Sequence, residues 1–213
     1  MYGLAVEVER CPDGVELVTL PAIQGKSIAT TRDEWTVFRY RTKRRESERF
    51  EFTDLESPIV VAFVNATDDE RRQRFFSMCG LTIPDHQVDR ESVLLSQRQF
   101  RHLLSRAGGA DAAAAMEAVN ANIAKHIAFA LQPTVHLAGQ SGMPRLLLRS
   151  TSLLGFMVME TAMVVAHRAR LASCEKCDTV FLTGPLTSRR SHARFCSDKC
   201  RVAAMRARKA ASA

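Results

Sequence analysis

Cys174, Cys177, Cys196 and Cys200 form two close pairs, C-E-K-C and C-S-D-K-C, separated by 18 residues. Soft thiolates in two such pairs, brought together by the intervening loop, present four ligands to one tetrahedral Zn2+. The competing reading is two disulfides or free thiols; disulfides suit an oxidising compartment, whereas this chain reads as cytoplasmic, and the spacing of the pairs favours a metal over free thiols. Four sulfurs close the coordination shell, so the expected zinc is structural, with no position open for a catalytic water. His192 lies between the pairs and could replace one sulfur, although its ordinary role is that of a surface residue.

Charge concentrates around these cysteines. The 213 residues carry a formal net charge of +7, and six of those charges fall between Ser173 and Ala213. There Lys176, Arg189, Arg190, Arg194, Lys199, Arg201, Arg206, Arg208 and Lys209 face only Glu175, Asp178 and Asp198. Such an excess favours a polyanion, and double-stranded DNA first. The candidate nucleic-acid contacts are Arg189, Arg190, Arg194, Lys199, Arg201, Arg206, Arg208 and Lys209. Aromatic platforms for single-stranded bases are scarce in this region.

The elements that must position these groups follow from periodicity and turn chemistry. The segment after Cys177 predicts a short strand through Val180–Leu182, a turn at Gly184-Pro185, and a last helix starting at Cys196. Knuckle, hairpin and helix together form a treble-clef-like finger with Phe181 and Phe195 in its core. Val202 and Met205 are expected to dock on that core. A unit of this size needs the metal to fold.

The 46% hydrophobic content allows an ordinary core in the preceding residues. Residues 3–56 read as β-rich, with Leu4–Val8 and Val15–Leu20 forming a hairpin about C-P-D-G. The Arg39, Arg41 and Lys43 side reads as a solvated sheet face balanced by Glu46, Glu48 and Glu51. Periodicity does not decide the type of residues 58–64. Helices are expected over Arg71–Cys79, Asp89–Ser105 and Asp111 to about Leu131, the last carrying Met116, Val119, Ile123, Ile127 and Phe129 on its buried face. A hairpin joins Thr134–Ala138 to Arg145–Arg149, and an apolar helix capped by Ser150 or Ser152 runs to Ala169. The fold class is therefore α+β. A mostly helical domain with β-hairpins, residues 1–172, senses something or dimerises, and a four-cysteine zinc finger with a basic helix follows over 173–213.

Glu160 interrupts the apolar helix. A buried carboxylate needs a partner. Glu160 is either a ligand-sensing group for a small molecule, a structural partner of an Arg or His, or part of a polar stripe with His167 and Arg168. Cys11 and Cys79 are isolated and read as buried thiols. The apolar run from Leu153 to Ala166 is too short to span a bilayer, and no secretory leader is visible. Phosphate-binding loops, nucleophile elbows and metalloenzyme histidine motifs are missing, so an enzyme is not expected.

Several of these pieces coincide with one family. F-V-N at Phe63–Asn65, R-F-F-S-M-C-G-L at Arg74–Leu81, the apolar helix before the finger, C-x-x-C-x-x-x-F, R-F-C-S and the basic tail resemble the bacterial CGNR zinc-finger proteins. Those are stress-induced transcription regulators in which an ABATE domain precedes the finger. The likeness covers roughly residues 58–213. Cys200-Arg201-Val202-Ala203 stands where that family has Cys-Gly-Asn-Arg, and Phe195 where it has Trp. The resemblance implies a zinc-dependent DNA-binding regulator, with a homodimer and a small-molecule ligand as further expectations. The alternative is a zinc module with a structural role, or one that binds protein or RNA.

Overall fold

The computed structural model describes residues 3–21, 34–52, 55–82, 87–109, 111–126, 131–138, 143–150 and 152–211. Its architecture is mixed α+β, and it divides into two compact units. The first comprises residues 1–51, 66–98 and 129–156; the second comprises 52–65, 99–128 and 157–213.

In the first unit, β1 (Gly3–Arg10), β2 (Val15–Pro21), β3 (Glu34–Tyr40) and β4 (Glu46–Phe52) are shared between two sheets. β2 pairs antiparallel with β3, from Val15 opposite Tyr40 to Pro21 opposite Glu34, and β3 also pairs with β5 (Gln87–Asp89). β1 lies between β4 and β7 (Met143–Ser150), parallel to β7; β7 in turn forms the expected hairpin with β6 (Leu131–Ala138).

The hairpin expected between β1 and β2 therefore does not form. C-P-D-G does reverse the chain tightly, with the Gly14 N–H donating to the Cys11 carbonyl at 2.9 Å and Gly14 at φ 88°. The reversal is a corner instead. The Arg41 N–H donates to the Gly14 carbonyl, and Thr42 Oγ1 donates to Asp13 across it at 2.6 Å. The β2–β3 ladder thus bends at this corner and continues as the β1–β4 pair in another sheet. A turn motif specifies local reversal, whereas pairing is decided by which edges the sheets leave open.

The helix α2 (Asp69–Cys79) is punctuated as its sequence requires. Asp68 accepts the Arg71 N–H at 2.8 Å as N-cap, and Gly80 ends the helix at φ 80°. A Cβ on Gly80 would lie 2.6 Å from the Glu9 carbonyl oxygen, so no other residue fits there without movement. Phe76 packs against Phe38 at 5.1 Å, and both are fully buried with Val6. Arg39 pairs with Glu16, Arg44 with Glu46 and Arg49 with Glu51, as a solvated sheet face should.

Residues 58–64, ambiguous from periodicity, form the helix α1 (Ile59–Asn65), whose Val60, Val61, Phe63 and Val64 are buried. Its first turn contains no acidic residue. Glu160 supplies the missing acceptors from α5 (Leu153–Ala166). One carboxylate oxygen accepts the Ile59 N–H at 2.9 Å and the other accepts the Val60 N–H at 2.7 Å. The Pro58 carbonyl accepts the next two N–H groups, so all four orphan donors of the helix start are satisfied. Glu160 is only 3% exposed. Its partners are backbone amides, not Arg, His or the expected polar stripe.

At the other end of α1, the Asn65 side chain hydrogen-bonds both the carbonyl and the N–H of Val180, at 2.8 and 2.9 Å. The amide imitates one rung of a β-ladder and ties α1 to β9 (Val180–Thr183).

The remaining helices lie where expected, but two end early: the third expected helix stops at His126 instead of about Leu131, which already belongs to β6, and α5 stops at Ala166 instead of Ala169. α3 (Arg90–Arg106) is capped by Asp89 and buries Val93, Phe100, Leu103 and Leu104. α4 (Ala112–His126) buries Val119; the expectations for Ile123, Ile127 and Phe129 fall outside the described side chains. Pro133 sits in β6, and α4 ends before it. Ser152 caps α5 through the Gly155 N–H. The helix closes in a Schellman motif: Ala169 N–H donates to Val164, Arg168 N–H to Val165, and Arg168 takes the left-handed position at φ 51°. Cys11 and Cys79 are buried thiols. No helix of the described residues is long and apolar enough to cross a membrane.

Burial pushes the Glu160 carboxyl up to about 7, against the lowering pull of the Val60 and Ile59 amides. The folded state therefore binds this proton more tightly than the unfolded chain, whose carboxyl titrates near 4.5. The stability Glu160 contributes is complete below that lower value and declines as pH rises through the higher one. Denaturant unfolding should show the margin of the native protein over Glu160→Gln shrinking by up to about 3 kcal/mol across this window. A margin that widens with pH would mean that the amide hydrogen bonds outweigh burial. Asn65→Asp, which turns a carboxylate toward the Val180 carbonyl, should lower stability by about 2–3 kcal/mol in the same assay.

Candidate metal centre

The segment carrying the cysteines belongs to the second unit. β8 (Arg170–Ser173) pairs antiparallel with β9, and the loop between them is the C-E-K-C knuckle. Cys174 N–H donates to the Thr179 carbonyl, and Asp178 N–H donates back to the Cys174 carbonyl, each at 3.0 Å. Closing so small a loop requires a left-handed residue, which is Asp178 at φ 56°.

The second pair sits at the start of α6 (Asp198–Ala211). Cys196 precedes the helix instead of beginning it. Ser197 is the N-cap, its hydroxyl accepting the Cys200 N–H at 3.3 Å. Cys200 thus lies in the first turn of the helix.

The approach to Cys196 is held by side chains. Arg189 donates to the Cys196 carbonyl at 2.7 Å, with its guanidinium 5.4 Å above the Phe181 ring. Glu175 N–H donates to the Arg194 carbonyl at 3.1 Å, and the Glu175 carboxylate receives Arg194 and, at 3.8 Å, Arg208. Glu175 thereby clamps the knuckle to the segment leading to Cys196 and to the last helix.

These constraints bring the four sulfurs together, all within 4.8 Å of one another. Cys177 Sγ lies 3.6 Å from Cys196 Sγ and 3.7 Å from Cys200 Sγ, and Cys196 Sγ lies 3.6 Å from Cys200 Sγ. A disulfide needs about 2.0 Å. A tetrahedron with metal–sulfur bonds of about 2.3 Å has edges of about 3.8 Å, which these distances match. The donor set therefore fits a divalent metal of the zinc class. Cys174 is buried and Cys177 is exposed.

The electrostatics are those of crowded thiols. Burial and the sulfurs of Cys177, Cys200 and Cys174 push Cys196 up to about 12. Burial acts on Cys174 too, but N–H groups of Cys196, Lys176 and Cys177 outweigh it and hold that thiol down at about 6. Cys177 is lowered by the Thr179 hydroxyl and backbone. Sulfurs this close cannot all ionise beside one another, and a dication among them is what allows it.

The eight basic residues singled out by sequence fall into two groups. Arg189, Arg194 and Arg208 hold the finger together, as just described, and Arg201 pairs with Asp198 at 3.0 Å while remaining exposed. Arg190, Lys199, Arg206 and Lys209 are exposed on the surface. His192 is exposed and lies outside the sulfur cluster. The clamp of Glu175 was missed by sequence reasoning, although an acidic residue inside a knuckle otherwise surrounded by cations was a usable signal.

Val202 and Met205 do not dock on the finger; they are 39% and 61% exposed. Cys200 must face the sulfur cluster, and in a helix this turns Ala203 and Ala204 to the same side and Val202 and Met205 away from it. Comparison of the chain with protein-family models, curated proteins and solved structures returns no match.

Metal analysis of the purified chain should return about one zinc per molecule, with stripping by chelator removing helical ellipticity equivalent to α6. Cys177→Ser should weaken zinc binding by at least about a hundredfold, the upper range for losing a mere outer-shell group. A metal-free protein that keeps α6 would contradict a structural metal.

Proposed function

We propose that the chain is a zinc-dependent DNA-binding regulator of the bacterial type, with α6 as the element that meets the duplex. The observation that carries this reading is the state of α6: among its 14 residues none is buried, and from Met205 to Ala211 every residue is exposed. An isolated helix of this length is marginal in water. One anchored at its first turn by the sulfur cluster and left bare beyond it is suited to a partner that wraps it.

The charge on that helix supports a polyanionic partner. Lys199, Arg201, Arg206 and Lys209 are exposed along it, and Asp198 is its sole acidic residue. The major groove, about 12 Å wide and walled by phosphates, accepts a helix bearing such cations. The metal contributes no chemical step; it fixes the helix start relative to the β8–β9 hairpin. The likeness of the F-V-N, R-F-F-S-M-C-G-L and finger segments to CGNR proteins supports the same reading. Sensing of a small molecule and homodimerisation belong to that proposed role.

One observation favours a second reading, in which the finger is a structural or protein- or RNA-binding module. Arg189, Arg194 and Arg208 are engaged within the finger, which leaves fewer cations for phosphates.

Titration of a duplex with the zinc-loaded chain separates the two. Four phosphate contacts predict a slope of about −4 in log affinity against log salt, and Arg206→Ala should reduce its magnitude by about 1. Undetectable duplex binding at low salt would leave the second reading in place.

A further inference from the structure

The face of α6 turned away from the sulfur cluster is not purely cationic. Val202 and Met205, three residues apart, lie side by side on it at 39% and 61% exposure. Arg206 is four residues from Val202, while Arg201 and Lys209 are each four residues from Met205, so cations frame the apolar pair. Ala203 and Ala204 occupy the opposite, half-buried side. The helix thus places small residues inward and its two largest apolar side chains outward, the reverse of what stability alone would choose.

An apolar protein groove that took up Val202 and Met205 would have to take up the framing cations with them. A DNA major groove accepts both at once: phosphates line its walls, and its floor carries one apolar group, the C5 methyl of thymine. Methionine is unbranched and polarizable, suited to following a floor whose methyl positions vary.

We infer that Val202 and Met205 read thymine methyl groups, so that the duplex preferred by this chain is rich in A·T pairs. The inference rests on the DNA-binding reading of α6. Arg201, Arg206 and Lys209 supply affinity that is indifferent to sequence, while Val202 and Met205 supply the preference.

The test compares the zinc-loaded full chain on three duplexes of equal length: alternating dA–dT, alternating dA–dU and alternating dG–dC. Replacing thymine by uracil removes the methyl and leaves the base-edge hydrogen-bonding groups unchanged. The dA–dT duplex should bind about tenfold more tightly than dA–dU, the scale expected for two buried methyl contacts. The double variant Val202→Ala, Met205→Ala should abolish that difference while keeping the salt slope; both positions are exposed, so folding is not at stake. Equal affinity of the native chain for dA–dT and dA–dU would overturn methyl readout and leave DNA binding standing. Binding to none of the three would overturn both. Loss of self-association in the double variant by sedimentation, without change on DNA, would assign the pair to a protein contact and overturn the inference.

Discussion

Four sulfur atoms at tetrahedral-edge spacing are the constraint on which the C-terminal part of this protein depends. Brought together as thiols they compete for protons, as the opposite displacements of Cys174 and Cys196 indicate. Brought together around a dication they become the strongest cross-link in the segment. Every local feature nearby serves that convergence. Asp178 accepts a left-handed backbone so that the knuckle can close. Ser197 caps α6 so that Cys200 points back. Glu175 and Arg189 hold the two cysteine pairs in register. Exposed ion pairs such as Glu175–Arg208 contribute little alone because solvent screens them; their use is to fix direction.

The finger is not self-contained. Its β9 is bonded to Asn65, at the end of α1, and the beginning of α1 is held by Glu160. A seven-residue helix cannot persist by itself, and α1 has no acidic residue in its first turn. Its existence rests on a carboxylate from α5 at one end and on β9 at the other. Glu160 therefore performs for α1 the work that a local cap performs for α2. The same two bonds link the apolar helix α5 to the hairpin carrying the knuckle, through side chains about a hundred residues apart in sequence.

What could be read from the sequence was what is decided locally. The cysteine spacing, the Ser152 cap and the β6–β7 hairpin all involve neighbours in the chain. What could not be read depended on distant partners. C-P-D-G signalled a reversal but not that β1 would join β4 and β7 while β2 joined β3. Residues 58–64 gave no periodicity because α1 is apolar on most of its surface and is capped from α5. Glu160 invited pairing with a cation because sequence shows charges and hides backbone N–H groups. The outward turn of Val202 and Met205 was available in principle, since placing Cys200 on the metal side sets the phase of the whole helix.

That phase also decides which face α6 presents to solvent. A helix pinned through a residue in its first turn has no freedom to rotate about its axis, so its outward face is dictated by the sulfur cluster and not by its own amphipathicity. Val202, Met205, Arg206 and Lys209 are presented together because Cys200 is held. Had the finger been stabilised by an apolar core in the usual way, Val202 and Met205 would have been drawn inward and the helix would have turned its alanines to solvent. With Cys200 turned to the sulfur cluster, α6 carries no buried residue and its two largest apolar side chains stay exposed. The consequence is a last helix with few stabilising contacts beyond Ala204, the kind of element that gains most from a bound partner.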